Sequence, residues 1–423
     1  MSAPVDQPAR DKVRTDLSST LFVEAGAGTG KTTALVDRVV HAVATGHLGS
    51  MARLAAITFT ENAAAELRTR IREALELGAV RGKDREHNYD AAQRALLRSA
   101  LEQIDDAAIT TLHGFAARIL QDVPIEAGLP PGFAVNDAIR AQLEATARWR
   151  TFLDELLDDE SVAPQVLAAL TLELRTDKLR EVADAFAGSW DALQHRPFME
   201  RPLPAVDLAP VLVPLRRAAS CASAAPDGDR MTEHLRDVVV PAIDELMSLT
   251  DDMDRIEALQ RLQLRPGSGN KSAFAAAGLD KDEIKADLEE AVEARKGILT
   301  AVGTAAAETL CARLQDYTLA EVDRRRREGS LTFHDLLVLT RDVLRSDASV
   351  RRRLHERYPV VLIDEFQDTD PLQVEIACLI AGSLEQAPGR WDEIDIVRGG
   401  LFFVGDPKQS IYRFRRADVQ LYQ

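Results

Sequence analysis

The chain has 423 residues, 46% of them hydrophobic and 28% charged, which allows two or three domains of ordinary globular composition. No apolar run is long enough to span a bilayer and residues 1–16 contain no apolar signal core, so the sequence predicts a cytoplasmic protein without membrane contact. The net charge of −16 argues against blanket, histone-like binding of nucleic acid, although it allows a local basic groove.

The first 135 residues alternate between strand-like and helix-like segments. After a short entry helix within residues 1–19, the apolar patterns predict strands at 21–25, 54–60 and 107–110 and helices at 32–44, 63–77, 91–103 and 112–121. Strands that alternate with helices imply a parallel sheet covered by helices.

The middle of the chain has a different character. From about residue 137 to 328 it is rich in Ala, Leu, Glu and Arg with helical periodicity, which predicts an inserted helical domain. Strands are predicted again at 359–365 and 401–405, with a helix at 372–380 between them. The arginine runs 324–327 and 351–353 are interpreted as solvated helix faces.

Residues 21–33, Leu-Phe-Val-Glu-Ala-Gly-Ala-Gly-Thr-Gly-Lys-Thr-Thr, lead from a predicted strand through a loop of small residues into a predicted helix. The glycines allow backbone N–H groups to turn toward one anion, and the helix adds the positive end of its dipole. In such a P-loop, Lys31 reaches the β- and γ-phosphates and the Thr32 hydroxyl holds Mg²⁺. The sequence departs from the pattern G-x-x-x-x-G-K-[ST] only at Ala25, where the pattern has Gly and a small residue still fits. A chance Gly-rich turn is the alternative if no second half of the site exists.

That second half is predicted where the later strands end, because ligands of open α/β sheets lie beyond the carboxyl ends of the strands. Asp364 and Glu365 follow one strand and residues 405–410 follow another. Asp364 is predicted to hold Mg²⁺ through water, and Glu365 to take a proton from the attacking water. Gln409, which is neutral, suits a sensor of the γ-phosphate. Two solvated acids in a loop would be the better interpretation without the P-loop; with it, nucleotide hydrolysis is favoured.

Six stretches, in this order, make the chain resemble the N-terminal half of a UvrD/RecB/AddA-like superfamily 1 DNA helicase. They are Ala25-Gly-Ala-Gly-Thr-Gly-Lys-Thr32, Ile57-Thr-Phe-Thr60 with Ala63-Ala-Ala-Glu-Leu67, Thr111-Leu-His-Gly-Phe115, Leu331-Thr-Phe-His-Asp-Leu336, Asp364-Glu-Phe-Gln-Asp-Thr-Asp370 and Gly405-Asp-Pro-Lys-Gln-Ser-Ile-Tyr-Arg-Phe-Arg415. The resemblance covers about residues 5–135 and 330–423 by motif, and the helical middle only by position.

The resemblance implies an α/β fold: a RecA-like P-loop NTPase with a parallel sheet, helices on both faces, and a largely α-helical inserted domain. The expected domains are 1–135, the first part of the RecA-like ATP-binding domain; 136–328, a 1B-like helical insertion; and 329–423, the second part with Walker B and motif III. The implied cofactors are ATP and Mg²⁺. The implied partners are single-stranded DNA, DNA ends, and a second RecA-like domain or partner subunit.

The resemblance also assigns roles to individual residues. The implied ATP-binding residues are Ala25, Gly26, Ala27, Gly28, Thr29, Gly30, Lys31, Thr32, Thr33, Gln7 and Arg10. The implied DNA-binding residues are Phe59, Thr60, Thr111, His113, Tyr412, Phe414 and Arg415, of which Tyr412 and Phe414 would stack on bases. For Tyr412 and Phe414 core packing is the alternative, although the neighbouring arginines favour a wet, basic surface.

Some positions depart from the family pattern. A Gln that reads adenine is usual where Arg10 stands, and Gln7 is the nearest candidate one helical turn earlier, so adenine specificity is open. The Lys that the family usually has in a Thr-x-Lys-Ala-Ala segment is replaced here by Asn62. The Gly that usually precedes Ala417 is replaced by Arg416. In proteins of this family, we expect the chain to continue after the position of Gln423 into a second RecA-like domain, and in some members into a nuclease domain.

Two functions from different classes therefore stand at the level of sequence. The first is an ATP-dependent DNA helicase or translocase of repair and recombination, moving 3′ to 5′ by resemblance, with Lys31, Glu365 and Gln409 as catalytic residues. This N-terminal half alone is expected to hydrolyse ATP poorly, because a missing arginine finger can cost roughly 10³-fold or more. The second is a truncated, non-motor module that binds DNA or a partner and keeps a residual nucleotide site. A P-loop kinase or GTPase would leave the DNA motifs unexplained.

Overall fold

The computed structural model of the chain describes residues 6–26, 28–83, 87–135, 138–267, 269–385, 389–406 and 408. The chain divides into two compact units: unit 1 comprises Met1–Asn136 and Arg324–Gln423, and unit 2 comprises Asp137–Asp323. Within the described ranges, no helix has the length and apolar character required to cross a membrane.

Unit 1 is built on a parallel sheet of five strands in the order β1-β7-β6-β2-β3. These strands are β1 (Leu21–Glu24), β2 (Leu54–Thr58), β3 (Ala108–Thr111), β6 (Val360–Ile363) and β7 (Leu401–Gly405). A separate parallel pair is formed by β4 (Ala134–Val135) and β5 (Ser330–Leu331). Apart from half-exposed β1, the main strands carry few exposed positions, as expected for a parallel sheet covered on both faces.

The helices of unit 1 are mostly those that connect the strands. They are α1 (Gln7–Thr15), α2 (Lys31–Ala44), α3 (Glu61–Arg81), α4 (Ala91–Glu102), α5 (Leu112–Asp122), α16 (Phe333–Ser346), α17 (Ala348–Arg357) and α18 (Pro371–Ala381). Apolar residues of α2, α3 and α4 share one core with Leu362 and Phe402 of the sheet. Helix α16 packs against both α5 and α18, and α5 and α18 also contact the sheet. The predicted α/β class with a parallel, helix-covered sheet is confirmed.

Unit 2 consists of helices. They are α6 (Ala138–Asp158), α7 (Ala163–Thr171), α8 (Thr176–Ala187), α9 (Trp190–Leu193), α10 (Ala209–Ser220), α11 (Arg230–His234), α12 (Val240–Ser248), α13 (Asp252–Arg261) and α14 (Lys271–Ala276), together with most of α15 (Lys281–Glu328). Residues Leu235–Val239 between α11 and α12 form a π-helical turn. The core of unit 2 gathers buried aliphatic side chains from α6, α7 and α10 to α15, with Phe274 fully buried among them.

The interpretation of the two arginine runs as solvated faces is wrong for three of their members. Arg325 forms an ion pair of 2.7 Å with Asp335, which is only 2% exposed. Arg326 donates to the carbonyl of Ala127 at 2.8 Å. Buried Arg351 donates to the carbonyl of Leu344 at 2.7 Å. These arginines satisfy buried acceptors within unit 1, whereas Arg352 and Arg353 are exposed as predicted.

Candidate active site

The carboxyl ends of β1, β7 and β6 lie side by side in the sheet and carry the predicted catalytic segments. The P-loop follows β1, Asp364 and Glu365 follow β6, and Asp406 follows β7. The N–H of Ala25 donates to the carbonyl of Gly405 at 3.0 Å, which continues the pairing of β1 with β7 up to the P-loop. The three segments therefore meet at one edge of the sheet.

The P-loop leaves the start of α2 open for an anion. Gly28 and Gly30 have φ angles of 74° and 91°, a left-handed conformation that glycine adopts without steric cost. Gly30 is the N-cap of α2 and provides no side-chain cap. Within the loop, the N–H and hydroxyl of Thr29 donate to the carbonyl of Gly26 at 3.3 and 2.7 Å. The first N–H groups of a helix have no partner inside it, so they are available to phosphate oxygens.

Lys31 and Glu365 form an ion pair in which Nζ and Oε2 are 2.9 Å apart. The lysine side chain is 10% exposed and the glutamate side chain 35%. Glu365 has a φ of 55° and is one of two non-glycine residues with positive φ in the described chain. Such a conformation costs of order 1–3 kcal/mol and persists where surrounding contacts impose it, often at functional sites.

Gln367 supplies one of those contacts, although the sequence analysis gave it no role. Its Nε2 donates to Oε2 of Glu365 at 2.7 Å, and its Oε1 accepts from the N–H of Asp406 at 2.9 Å. The side chain is only 5% exposed. Gln367 thus connects the end of β6 to the end of β7. A neutral amide among acidic residues directly after a buried strand is the signal that could have identified it.

Asp364 is held in a setting that disfavours its charge in the absence of a cation. Burial and the neighbouring Glu365 raise the pKa of Asp364 to about 6, and the charge of Lys31 only partly opposes this. A divalent cation at this carboxylate would remove the penalty. Thr32 lies in the first turn of α2, next to Lys31. In the part of the chain that the structure describes, no group of three His, Cys, Asp or Glu residues could hold a metal by itself. The residues present suit Mg²⁺ that completes its shell with water and phosphate oxygens.

A second group of predicted residues lies at the ends of β2 and β3. Phe59 is half-buried after β2, and the exposed Thr60 caps α3 by accepting from the N–H of Ala63. Thr111 is 8% exposed, and its hydroxyl donates to Glu61 at 2.7 Å while accepting from the N–H of Gly114. The Thr111 hydroxyl therefore makes both of these hydrogen bonds within the protein.

His113 and Phe333 extend this group. The rings of His113, in the first turn of α5, and Phe333, the first residue of α16, meet edge to face with centroids 5.2 Å apart. Burial, followed by the charge of His334, lowers the pKa of His113, which favours the neutral ring. Phe333 is 61% exposed. It lies in a motif already noted in the sequence, but no role had been predicted for it.

A cavity of about 600 Å³ adjoins the first turn of α2 and is bounded by α1 and α3. Gln7, Arg10 and Thr33, all predicted to bind the nucleotide, line it. The amide of Gln7 donates to Asp11 at 3.0 Å, and the guanidinium of Arg10 donates to the carbonyl of Thr29 in the P-loop at 2.9 Å. The predicted residues Ala27, Gln409, Tyr412, Phe414 and Arg415 lie outside the described residues.

The profile of the UvrD/REP helicase N-terminal domain matches residues 6–423. Two ATP-dependent helicase/nuclease subunits, from Pediococcus pentosaceus and Levilactobacillus brevis, are 24% and 28% identical over 95% and 98% of the chain. The RecB subunit of the RecBCD enzyme of Escherichia coli is 28% identical over 97% of the chain. The chain spans about a third of the length of these relatives, from 34% to 36%. It belongs to the UvrD/REP helicase N-terminal domain family.

Proposed function

We propose that the chain is the ATP-hydrolysing N-terminal half of a DNA helicase or translocase that acts in repair and recombination. The observation that carries the proposal is the ion pair between Lys31 and Glu365, because it brings a P-loop lysine and a carboxylate from another strand end to one point. The names of the relatives, which include ATP-dependent helicase/nuclease subunits and RecB of the RecBCD enzyme, support it. Travel from 3′ to 5′ and a cytoplasmic location remain predictions.

In the proposed mechanism the P-loop N–H groups and Lys31 bind the β- and γ-phosphates. Thr32 and Asp364 would hold Mg²⁺, and the cation would neutralise charge that develops on the phosphates. Glu365, oriented by Gln367, accepts a proton from the attacking water. Gln409 follows Asp406 in sequence and is assigned to sensing the γ-phosphate. An arginine from a second RecA-like domain or partner subunit would complete the site.

Single-stranded DNA is proposed to cross unit 1 at the ends of β2 and β3. The surface would comprise Phe59, Thr60, Thr111, His113 and Phe333, together with Tyr412, Phe414 and Arg415. The exposed ring of Phe333 is suited to base stacking, which needs no particular sequence. For buried Thr111 the proposed part is to shape the turn before His113. We assign residues 1–135 and 329–423 to the first RecA-like domain and 136–328 to the 1B-like insertion.

The distribution of charge supports this placement of the DNA. Residues 137–323 contain 35 acidic and 21 basic residues, a net −14 of the −16 carried by the whole chain. The remainder, unit 1, has a net charge of only −2. A phosphate backbone is repelled by a strongly acidic surface, so unit 1 is the more favourable of the two for nucleic acid.

The test is hydrolysis of ATP by the 423-residue chain, with and without single-stranded DNA, together with Mg²⁺-dependent binding of a fluorescent ATP analogue. Lys31→Ala removes the predicted phosphate contact, and Lys12→Ala, at an exposed position of α1, is the matched control. DNA-stimulated hydrolysis lost only in Lys31→Ala would support a working motor half. Binding lost only in Lys31→Ala, without turnover, would support a half that requires its second domain. Equal binding by both variants would contradict the nucleotide site.

A further inference from the structure

The position where the family usually has an adenine-reading Gln carries Arg10, and its contacts are with the P-loop. Nη2 of Arg10 donates to the carbonyl of Thr29 at 2.9 Å. Its Nε donates to Asp6 at 3.0 Å, and Nη2 also forms an ion pair of 2.9 Å with Asp6, so this carboxylate restrains the edge of the guanidinium that contacts Thr29. We propose that Arg10 is a positioning residue of the phosphate-binding loop, acting on the triphosphate of any nucleotide and not on the base. This rests on the nucleotide site of the proposed function.

The bond to Thr29 controls the direction of a phosphate-facing N–H. The carbonyl of Thr29 and the N–H of Gly30 belong to one planar trans peptide and therefore point in opposite directions. While Arg10 holds the carbonyl outward, the N–H of Gly30 is directed to the other side of the loop. Among the described residues this N–H has no hydrogen-bond partner, as expected for a group reserved for an anion.

The hydrogen bond from Arg10 to the Thr29 carbonyl matters because the backbone at Gly30 otherwise rotates easily. Glycine populates positive and negative φ with similar ease, so a φ of 91° at Gly30 is not enforced by the residue itself. A charge-assisted hydrogen bond to the preceding carbonyl selects one orientation before the ligand binds. The peptide between Thr29 and Gly30 would then already be ordered, and its ordering would not reduce the free energy of nucleotide binding.

The helix that carries Arg10 is itself anchored to the P-loop helix by polar contacts. None of the nine residues of α1 is buried. Arg38 of α2, only 3% exposed, donates to the carbonyls of Val13 and Asp16 at 2.6 and 2.9 Å. One arginine thus connects α1 to the loop and another connects α2 to the end of α1. These two connections hold α1 in place beside the P-loop, so that Arg10 can orient the loop.

The chemistry of the guanidinium also separates this role from base reading. Adenine presents an amino donor beside a ring acceptor, and a carboxamide pairs with both, whereas arginine offers donors only. Two of the donor atoms of Arg10 are already committed to Asp6 and Thr29. Loss of Arg10 should therefore affect ATP, GTP and inorganic tripolyphosphate alike.

The experiment titrates the full chain with fluorescent ATP and GTP analogues in Mg²⁺, and displaces the ATP analogue with inorganic tripolyphosphate. Arg10→Gln should weaken all three ligands by about five- to tenfold with the ATP:GTP ratio unchanged, as for the loss of one charge-assisted bond. Arg10→Lys, which can still donate to Thr29, should recover part of the loss. Lys12→Gln removes a positive charge from an exposed position of the same helix and should change nothing.

Three results would overturn the proposal. The first is that Arg10→Gln leaves all affinities within twofold of the wild type. The second is that it changes the ATP:GTP ratio, which would place residue 10 at the base. The third is an equal loss in Lys12→Gln, which would indicate a general charge effect. If the wild type binds none of the ligands, or binds them equally after Lys31→Ala, the nucleotide site itself fails, and that result is distinct from these three.

Discussion

Lys31 and Glu365 are 334 positions apart in the chain, and their side chains form an ion pair of 2.9 Å at the end of the sheet. In the proposed cycle the same ammonium group must bind phosphate oxygens. The nucleotide and Glu365 therefore compete for Lys31. Because Gln367 also donates to Oε2 of Glu365, the carboxylate keeps one partner after Lys31 has moved to the phosphates.

This competition predicts that Glu365→Gln binds Mg²⁺-nucleotide more tightly than the wild type. A partly exposed ion pair contributes up to about 1 kcal/mol, so the gain should be about three- to fivefold. Titration with a fluorescent ADP analogue measures it. Glu24→Gln, at the exposed end of β1, is the control and should bind like the wild type. Unchanged or weaker binding by Glu365→Gln would mean that the ion pair does not compete with the ligand.

Asp364→Asn is expected to stabilise the nucleotide-free chain and to abolish its response to Mg²⁺. Burial and Glu365 raise the folded-state pKa from 3.8 to about 6, so between these values the folded state binds the proton more tightly than the unfolded state. The free energy of unfolding should accordingly fall as pH rises from about 4 to 6 and stay lower above that range, by at most about 3 kcal/mol.

The measurement is urea unfolding from pH 4 to pH 8 without nucleotide. In Asp364→Asn the decrease between pH 4 and pH 6 should be smaller and the stability at pH 7 higher by about 1–3 kcal/mol. Asp106→Asn, at an exposed carboxylate of unit 1, is the control and should follow the wild-type pH profile. Parallel profiles for wild type and Asp364→Asn would show that this carboxyl is not penalised by its surroundings.

The sequence predicted the main strands well because each is a short apolar run. The predicted 401–405 coincides with β7, while the predicted 359–365 and 54–60 extend two residues beyond β6 and β2. Apart from residue 359, one position before β6, these overestimates fall at the carboxyl ends, where the chain turns into the residues of the site. The predicted start of α3 at residue 63 ignored Thr60, a capping residue that the sequence displays and that marks the start at Glu61.

Other features depend on contacts between distant segments and could not be predicted. The pairing of β4 with β5 joins two strands of two residues each, too short for an apolar pattern. The order of strands in the sheet is likewise a tertiary property. In the site, the rule that ligands lie beyond the carboxyl ends of parallel strands indicated Asp364 and Glu365. It could not indicate the hydrogen-bond partners of Gln367 or Arg10. A neutral amide or a guanidinium has many acceptors within its reach, and only the folded backbone selects among them.

The ion pair of Arg325 with Asp335 should be essential for stability. Burial alone would raise the pKa of Asp335, but the hydrogen bonds and charge of Arg325, with the help of Thr332, hold it below its usual value. Arg325→Ala leaves a buried carboxylate without its cation and should lower the free energy of unfolding by about 3 kcal/mol. Urea unfolding at pH 7 measures this, and Arg327→Ala, at an exposed site in the same helix, should change it little.

The sign of the pH dependence gives a second check on this pair. Because the folded pKa of Asp335 is lowered, its contribution is present above the unfolded value of 3.8 and is lost as pH falls below it. Acidification should therefore reduce the difference between wild type and Arg325→Ala. A difference that is independent of pH would assign the loss to packing of the arginine stem.

Phe333→Ala tests the proposed nucleic-acid surface without disturbing the core. The ring is 61% exposed and meets the ring of His113 edge to face, so its removal should leave thermal stability nearly unchanged. If the ring stacks on a base, affinity for a fluorescent oligothymidylate should fall by roughly 5- to 100-fold, the range for loss of one base-aromatic stack. Ile125→Ala removes a more exposed apolar side chain, 82% exposed, from the loop after α5 and is the control. Equal affinity in the two variants would exclude Phe333 from the DNA path, whereas a loss confined to Phe333→Ala would place bound DNA beside His113.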